Sequence, residues 1–403
     1  MATQTMAEPE KVLHGQYDGE RGALLRLAVV TALLTTVTLG IYRFWARTRI
    51  RRYVWSSISD GRDSFEYTGT GLEKFLGFLM AVVLLAVYLG VVQMILFYFG
   101  LTLLGEPQTP EQAMLQSLAF SITFVAVLPL IFFAQYRVRR YKLARTRWRG
   151  IRFGAEKGAW GYAFRAMGHW LLTILSLGLL LPWQTWRLER YMTDRSWYGD
   201  APFQQGGRWT ALLPAMSHIY AGLFIMIGGG MVAGLLGQPE SGGAVAVLGF
   251  VWLLVGIVVY RVKAFIYLTE NKILDGNIWF ELHIRATPIV STVFLGGLMV
   301  GIITVLIFGG LGAAVMFMLV PAVMLGEGAV FIAVVAIGAL YLLAYAVSAS
   351  LVLVWILQPI IHQVVEAVTI RNADELDYIE QRGHDTGADA EGFADALDVG
   401  GAI

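Results

Sequence analysis

The stretch TLGIYRFWARTRIRRYVWSSISDGRDSFEYTG, residues 38–69, decides how this chain is read, because SLGLLLPWQTWRLERYMTDRSWYGDAPFQQGG, residues 176–207, repeats it without a gap. Gly40, Trp45, Tyr53, Gly61, Phe65 and Gly69 fall on Gly178, Trp183, Tyr191, Gly199, Phe203 and Gly207. Identities at one fixed offset mark an internal duplication, and a duplication governs every later inference about the fold. Shorter echoes follow other apolar runs. YRVRRYKLARTRWRGIRFG carries Tyr141, Gly150 and Phe153, and YRVKAFIYLTENKILDGNIWFELHI carries Tyr267 and Gly276. HQVVEAVTIRNADELDYI, with Asn372 at its turn, reads as a degenerate fifth copy.

The runs between these segments are long enough to cross a bilayer. The chain is 57% hydrophobic and only 15% charged, against roughly 25% charge in an ordinary soluble domain. Apolar runs near the bilayer-spanning length of about 20 residues lie at 22–44, 76–100, 117–136, 162–182, 211–236, 244–262, 289–325 and 329–357. The first run starts too late and runs too long for a cleavable signal peptide. Cysteine is absent, which excludes disulfides, zinc-thiolate sites and thiol nucleophiles.

Charge placement orients the chain. Lys and Arg crowd 43–74, 137–165, 187–208 and 261–285, whereas the loops at 101–116, 237–243 and 326–328 hold none and carry Glu106, Glu111, Glu240 and Glu327. The positive-inside rule then places the repeat segments in the cytoplasm and the arginine-free loops outside. Helical hairpins follow at 76–136, 211–262 and 289–357. The runs at 22–44 and 162–182 stand alone. If both span, the halves are inverted, as in many transporters; if both enter and return, or lie in the interface, the halves are parallel.

Each repeat reads as a helix end followed by a tight hairpin. Arg43, Arg47, Arg49, Arg51 and Arg52 crowd a helix leaving the membrane, and Arg137, Arg139, Arg140, Arg145, Arg147 and Arg149 do the same in the second copy. Cations there suit the negative end of a helix dipole and an anionic lipid surface, and Trp45 and Tyr53 suit the headgroup belt. After Tyr53 the pattern alternates around Asp60-Gly61, a hairpin turn pair. Tandem hairpins are expected to pair edge to edge in a small β layer, since isolated ones would leave unpaired edges. The expectation is an all-α polytopic membrane protein of duplicated helical units with short cytoplasmic β-hairpins. It divides into a polar segment 1–21, a first repeat half 22–157, a second half 158–288, a C-terminal helical hairpin with the degenerate motif 289–373, and an acidic, disordered tail 374–403.

The string from Thr38 to Gly71 resembles the signature of the YjgN-like bacterial inner-membrane proteins. The matching residues are Thr38, Leu39, Gly40, Ile41, Tyr42, Trp45, Ala46, Arg52, Tyr53, Gly61, Phe65, Tyr67, Thr70 and Gly71, and Arg140-Tyr141 through Gly150-Ile151-Arg152-Phe153 match a second phrase. The family usually has Pro before the Trp; here Phe44 stands there, while the later copy keeps Pro182-Trp183. The resemblance implies a multi-pass inner-membrane protein and brings no reaction or ligand.

The remaining constellations point to no chemistry. His14, His169, His218, His283, His362 and His384 are scattered, with no two at metal-ligand spacing. Gly69-Thr70-Gly71 lacks the lysine of a phosphate loop, and no Gly-x-Ser-x-Gly elbow occurs. No cofactor and no nucleic acid is expected, since Arg and Trp at a helix exit are what lipid headgroups require. The expected partner is the lipid bilayer, with its anionic headgroups. The preferred function is a scaffold that binds anionic lipid or a partner through the basic layer. A carrier or channel built from two repeats and a lipid-modifying enzyme are the alternatives, the last without a catalytic motif.

Overall fold

The computed structural model describes residues 11–383. Residues 1–10 of the polar segment and 384–403 of the acidic tail lie outside the described residues. In chain order the elements are β1 (Leu13–His14), β2 (Gln16–Tyr17), α1 (Arg21–Val37), α2 (Arg43–Ser56), β3 (Ile58–Ser59), β4 (Glu66–Tyr67), α3 (Gly71–Tyr98) and α4 (Pro110–Ala144). Next come β5 (Thr146–Trp148), β6 (Ile151–Ala155), α5 (Ala159–Leu175), α6 (Leu181–Thr193), β7 (Ser196–Tyr198) and β8 (Ala201–Gln205). A 3-10 segment (Trp209–Met216) leads into α7 (Ser217–Leu235), α8 (Pro239–Glu270), β9 (Lys272–Leu274), β10 (Ile278–Leu282) and α9 (Ala286–Leu325). The last elements are α10 (Glu327–Val352), a π-turn (Leu353–Leu357), α11 (Gln358–Ala367) and β11 (Val368–Arg371). The chain forms two compact units, one of residues 1–65 and 205–378 and one of residues 66–204 with 379–403.

Among the described residues, six helical stretches are long and apolar enough to cross a membrane: Gly71–Tyr98, Pro110–Ala144, Trp209–Leu235, Pro239–Glu270, Ala286–Leu325 and Glu327–Ala367. The chain is an all-α polytopic membrane protein in which strands are a minor part. The runs at 22–44 and 162–182 are not among the six. Each breaks after 17 residues, at Val37 and Leu175, and a second helix, α2 or α6, packs back on the first. The arginines of 43–52 therefore sit on a separate returning helix, not on the end of a single long one.

The unit of 1–65 and 205–378 is held by backbone proximity. Gly222 and Gly229 on α7 and Gly242, Gly249 and Gly256 on α8 recur every seven residues, so they line one seam. A Cβ on Gly249 would lie 2.2 Å from the Met226 nitrogen, and one on Gly229 would lie 2.3 Å from the Ala246 nitrogen. Small residues are what allow helices to approach this closely in lipid. By contrast, Gly309 and Gly310 have open space, and α9 runs through them and Pro321 without a break. Helix α1 packs on α10 in this unit. Its strands run β1-β11-β10-β9, with β2 paired to β3, all antiparallel. An Arg371–Glu281 ion pair joins β11 to β10, and the hydrogen bond from Arg371 holds the Glu281 carboxyl below its ordinary range. That contribution is present at neutral pH and is lost as pH falls through the lowered range.

The unit of 66–204 and 379–403 orders its strands β4-β5-β6-β7-β8. Successive hairpins thus pair edge to edge, with Phe153 opposite Tyr198. Two-residue loops set the register. Arg149 and Gly150 both take positive φ, as a type I′ turn needs, and Gly199 takes it at the first loop position. The Asp60 turn differs. Its side chain accepts from the Arg62 and Asp63 amides at 2.9 and 2.7 Å and shapes a four-residue loop. Phe132, Tyr136, Tyr162, Ala163, Ala166 and Leu188 form the core where α4, α5 and α6 meet. Within the segment expected as a disordered tail, residues 374–383 contain a 3-10 turn, and Leu376 and Ile379 are buried.

The helical hairpins are inserted between neighbouring antiparallel strands: α1–α2 between β2 and β3, α3–α4 between β4 and β5, α5–α6 between β6 and β7, and α9–α11 between β10 and β11. Substituting Gly249 by Val forces the α7–α8 seam apart and lowers stability by about 1–3 kcal/mol. Gly228→Val, in open space, leaves it unchanged; thermal unfolding in detergent distinguishes the two.

Candidate functional site

The repeat tyrosines close the feet of the helical hairpins. The Tyr53 hydroxyl accepts from the Glu20 amide at 2.9 Å and donates to the Glu20 carbonyl at 3.0 Å. Glu20 caps α1, so the last turn of α2 is tied to the first turn of α1. Tyr191 donates to the carbonyl of Gly158, the cap of α5, at 2.9 Å. Tyr267 makes the reciprocal pair with Arg208, accepting at 2.7 Å and donating at 3.1 Å. Tyr141 reaches the Glu73 carboxylate in the first turn of α3 at 3.1 Å. In the fifth copy Gln363 stands in the same register, and its amide donates to Thr292 near the start of α9 at 2.9 Å.

These clasps explain part of the sequence signature. Tyr hydroxyls are both donor and acceptor, so one side chain satisfies both backbone groups at a helix start that has orphan amides. Gly69 and Gly207 stand where the chain enters a helix start; a Cβ there would lie 2.5 Å from the Tyr67 hydroxyl and 2.6 Å from the Tyr267 hydroxyl, respectively. Trp45 stacks on Tyr42 at 6.2 Å in one copy, and Trp183 meets His169 edge-on at 4.4 Å in the other. Phe153 stacks on Phe203 at 6.5 Å.

The basic residues singled out by the sequence separate into groups. Arg51 and Arg140 are buried, 2% exposed each. Arg140 donates through Nε to the Ala155 carbonyl at 3.0 Å, and it holds a helix end to a strand. Arg139 pairs with Glu189 at 2.9 Å and Arg145 with Glu73 at 3.2 Å. Arg43, Arg47, Arg137, Arg147 and Arg149 are half-buried, while Arg49 and Arg52 are exposed. Arg49 lies over the Tyr42 ring at 5.8 Å.

The sequence reading missed the partners of that exposed pair. At the repeat offset Arg49 and Arg52 fall on Arg187 and Arg190, which are also exposed. Arg187 and Arg190 lie over the Trp186 ring at 5.8 and 5.2 Å. The offset itself was the signal; Glu189 and Asp194 diluted the local charge and hid it. Each hairpin thus carries two exposed arginines three residues apart on one helix face, and Arg190 is paired with Asp194 at 3.1 Å. Planar forks of this kind suit phosphate oxygens.

Among the described residues no group of three His, Asp or Glu side chains could hold a metal. His362 pairs with Glu366 at 3.0 Å and packs edge-on to Tyr17.

The family model described as "Bacterial protein of unknown function (DUF898)" matches residues 12–396, and the chain belongs to that family. It is similar to inner membrane protein YjgN of Escherichia coli O157:H7, 30% identical over 156 residues, which are 38% of this chain and 33% of that protein. It is also similar to inner membrane protein YjgN of Salmonella typhimurium, 26% identical over 151 residues, 37% of this chain and 33% of that protein. The matching stretch therefore spans about a third of the length of these curated relatives. No solved structure matches the chain. With its six spanning-length helices, the chain is a multi-pass inner-membrane protein.

Removing one clasp hydroxyl costs about 1 kcal/mol. Tyr53→Phe and Tyr191→Phe each lower the unfolding midpoint, whereas Tyr345→Phe, at a residue 70% exposed on α10, does not.

Proposed function

We propose that this family member is an inner-membrane scaffold that gathers anionic lipid headgroups on its basic interfacial helices, with every repeat hairpin facing the cytoplasm. The observation that carries the reading is the recurrence of one exposed arginine pair, Arg49 with Arg52 and Arg187 with Arg190, on the returning helix of each short hairpin. Tryptophan accompanies each pair, as expected at headgroup depth. Bidentate arginine–phosphate contacts are charge-assisted and stronger than neutral hydrogen bonds, and an anionic leaflet draws each basic residue by about 1 kcal/mol.

The cytoplasmic assignment follows from the same charges. Each helical segment starts and ends at a clasp, so consecutive hairpins share a side, and the lysine- and arginine-rich side is the inner one. A two-repeat carrier would need polar groups lining a midplane cavity.

Spin-labelled phosphatidylglycerol and phosphatidylcholine test the headgroup reading. The wild type restricts the motion of the anionic lipid in preference to the neutral one. The variant with Arg49, Arg52, Arg187 and Arg190 all changed to Gln loses that preference; undiminished selectivity refutes it. Cysteine reporters at Gln108 and Gly61 label from opposite sides of the membrane, against a native background with no cysteine.

A further inference from the structure

We infer that the tips of the two short hairpins, residues 37–41 and 175–179, insert into the acyl region of one leaflet only and act as a pair of monolayer wedges. Their ligand is the acyl chains of the leaflet that faces the repeat hairpins.

The first observation is that every amide of the tip is bonded. In the first copy six consecutive amides, Thr38 to Arg43, are all bonded inside the tip: to Leu34 O, Thr36 O, Thr35 O, Thr38 O, Thr38 Oγ1 and Gly40 O. In the second copy Ser176 to Leu181 repeat the set: Leu172 O, Ile174 O, Thr173 O, Ser176 O, Ser176 Oγ and Gly178 O. A turn in water has no need of such closure, because solvent supplies partners. A turn in hydrocarbon does need it. The hydroxyl that completes the set is Thr38 in one tip and Ser176 in the other, each also donating back into the preceding helix.

The second observation is what these closed turns display. Leu39 is 86% exposed and Leu177 is 87% exposed, and Val37, Ile41, Leu175 and Leu179 are exposed beside them. Both leucines adopt positive φ, 50° and 51°, in the left-handed region that disfavours residues bearing a Cβ and favours glycine. Stability alone would select glycine at this C′ position. A large apolar side chain held there at a conformational cost serves a contact outside the described chain, and lipid is the medium that covers exposed leucine.

The third observation fixes depth and leaflet. The clasps at Tyr53–Glu20 and Tyr191–Gly158 hold both feet of each hairpin together, so neither tip leads out on the far side. Arg43 follows the first tip after one residue, and its head must snorkel to the phosphates. The second tip has Leu180 and Leu181 where the first has Tyr42 and Arg43.

Leu39→Cys and Leu177→Cys, each carrying an environment-sensitive fluorophore, test this in vesicles of phosphatidylethanolamine and phosphatidylglycerol. Doxyl lipids are placed in either leaflet and dithionite on either side. The expected result is quenching by doxyl lipid only in the leaflet on the Gly61 side, with no fast bleaching by dithionite from either side. Fast bleaching places the tips in water and overturns the inference. Quenching from the far leaflet makes the segments spanning and also overturns it. Absence of lipid quenching together with fluorophore-site crosslinks between copies shows a protein-covered tip and overturns it too. Leu39→Gly with Leu177→Gly checks the backbone argument: the unfolding midpoint in detergent rises, since the left-handed strain is gone. These outcomes are read independently of lipid headgroup selectivity, so the wedge and the scaffold reading fail separately.

Discussion

One hydrogen-bonded contact organises this protein: a tyrosine hydroxyl at the end of a returning helix, bound to the backbone or first turn where the outgoing helix began. It occurs at Tyr53, Tyr141, Tyr191 and Tyr267, with Gln363 in the same register. The contact is small in energy, about 1 kcal/mol each, yet its geometric consequence is large. A helical segment whose two ends touch has to return to the surface it left. Because four of the helical segments also connect adjacent antiparallel strands, the strands act as a template that fixes where each segment starts and stops. Between those fixed feet the hairpins differ in length: α7 and α8 are long and apolar enough to cross a bilayer, whereas α1 and α5 each end after 17 residues.

Much of this was legible in the sequence. The spanning lengths were read from apolar runs and the arginine-free loops from charge placement, and a turn was placed at Asp60-Gly61, where the structure has a four-residue loop. The resemblance to the YjgN-like proteins agrees with the family match over 12–396. Less legible was the break after Val37 and Leu175. Leucine at the left-handed cap gives no local signal for a helix end, and Gly40 and Gly178 lie one residue later, where sequence alone does not separate a cap from a tolerated helical glycine.

The basic cluster was legible as a cluster but not residue by residue. Arg51 and Arg52 are neighbours in sequence, yet one is buried and the other exposed, because a helix rotates successive residues by about 100°. Arg140 bonds a carbonyl and Arg139 and Arg145 bond carboxylates, which no count of charges reveals. What repeats on both hairpins is an exposed pair, Arg49 with Arg52 and Arg187 with Arg190, the last of them bound to Asp194. The same duplication that made the chain readable also separates buried arginines, such as the Arg140 that ties a helix to a strand, from exposed ones.

The central claim is that the short hairpins return to their own side. Sidedness of impermeant thiol labelling at the feet of each one tests it most directly, using Arg21→Cys against Arg62→Cys and Lys157→Cys against Asp194→Cys in intact cells and inverted vesicles. The account predicts that all four label only from the cytoplasmic side. Labelling of the two members of either pair from opposite sides would contradict it.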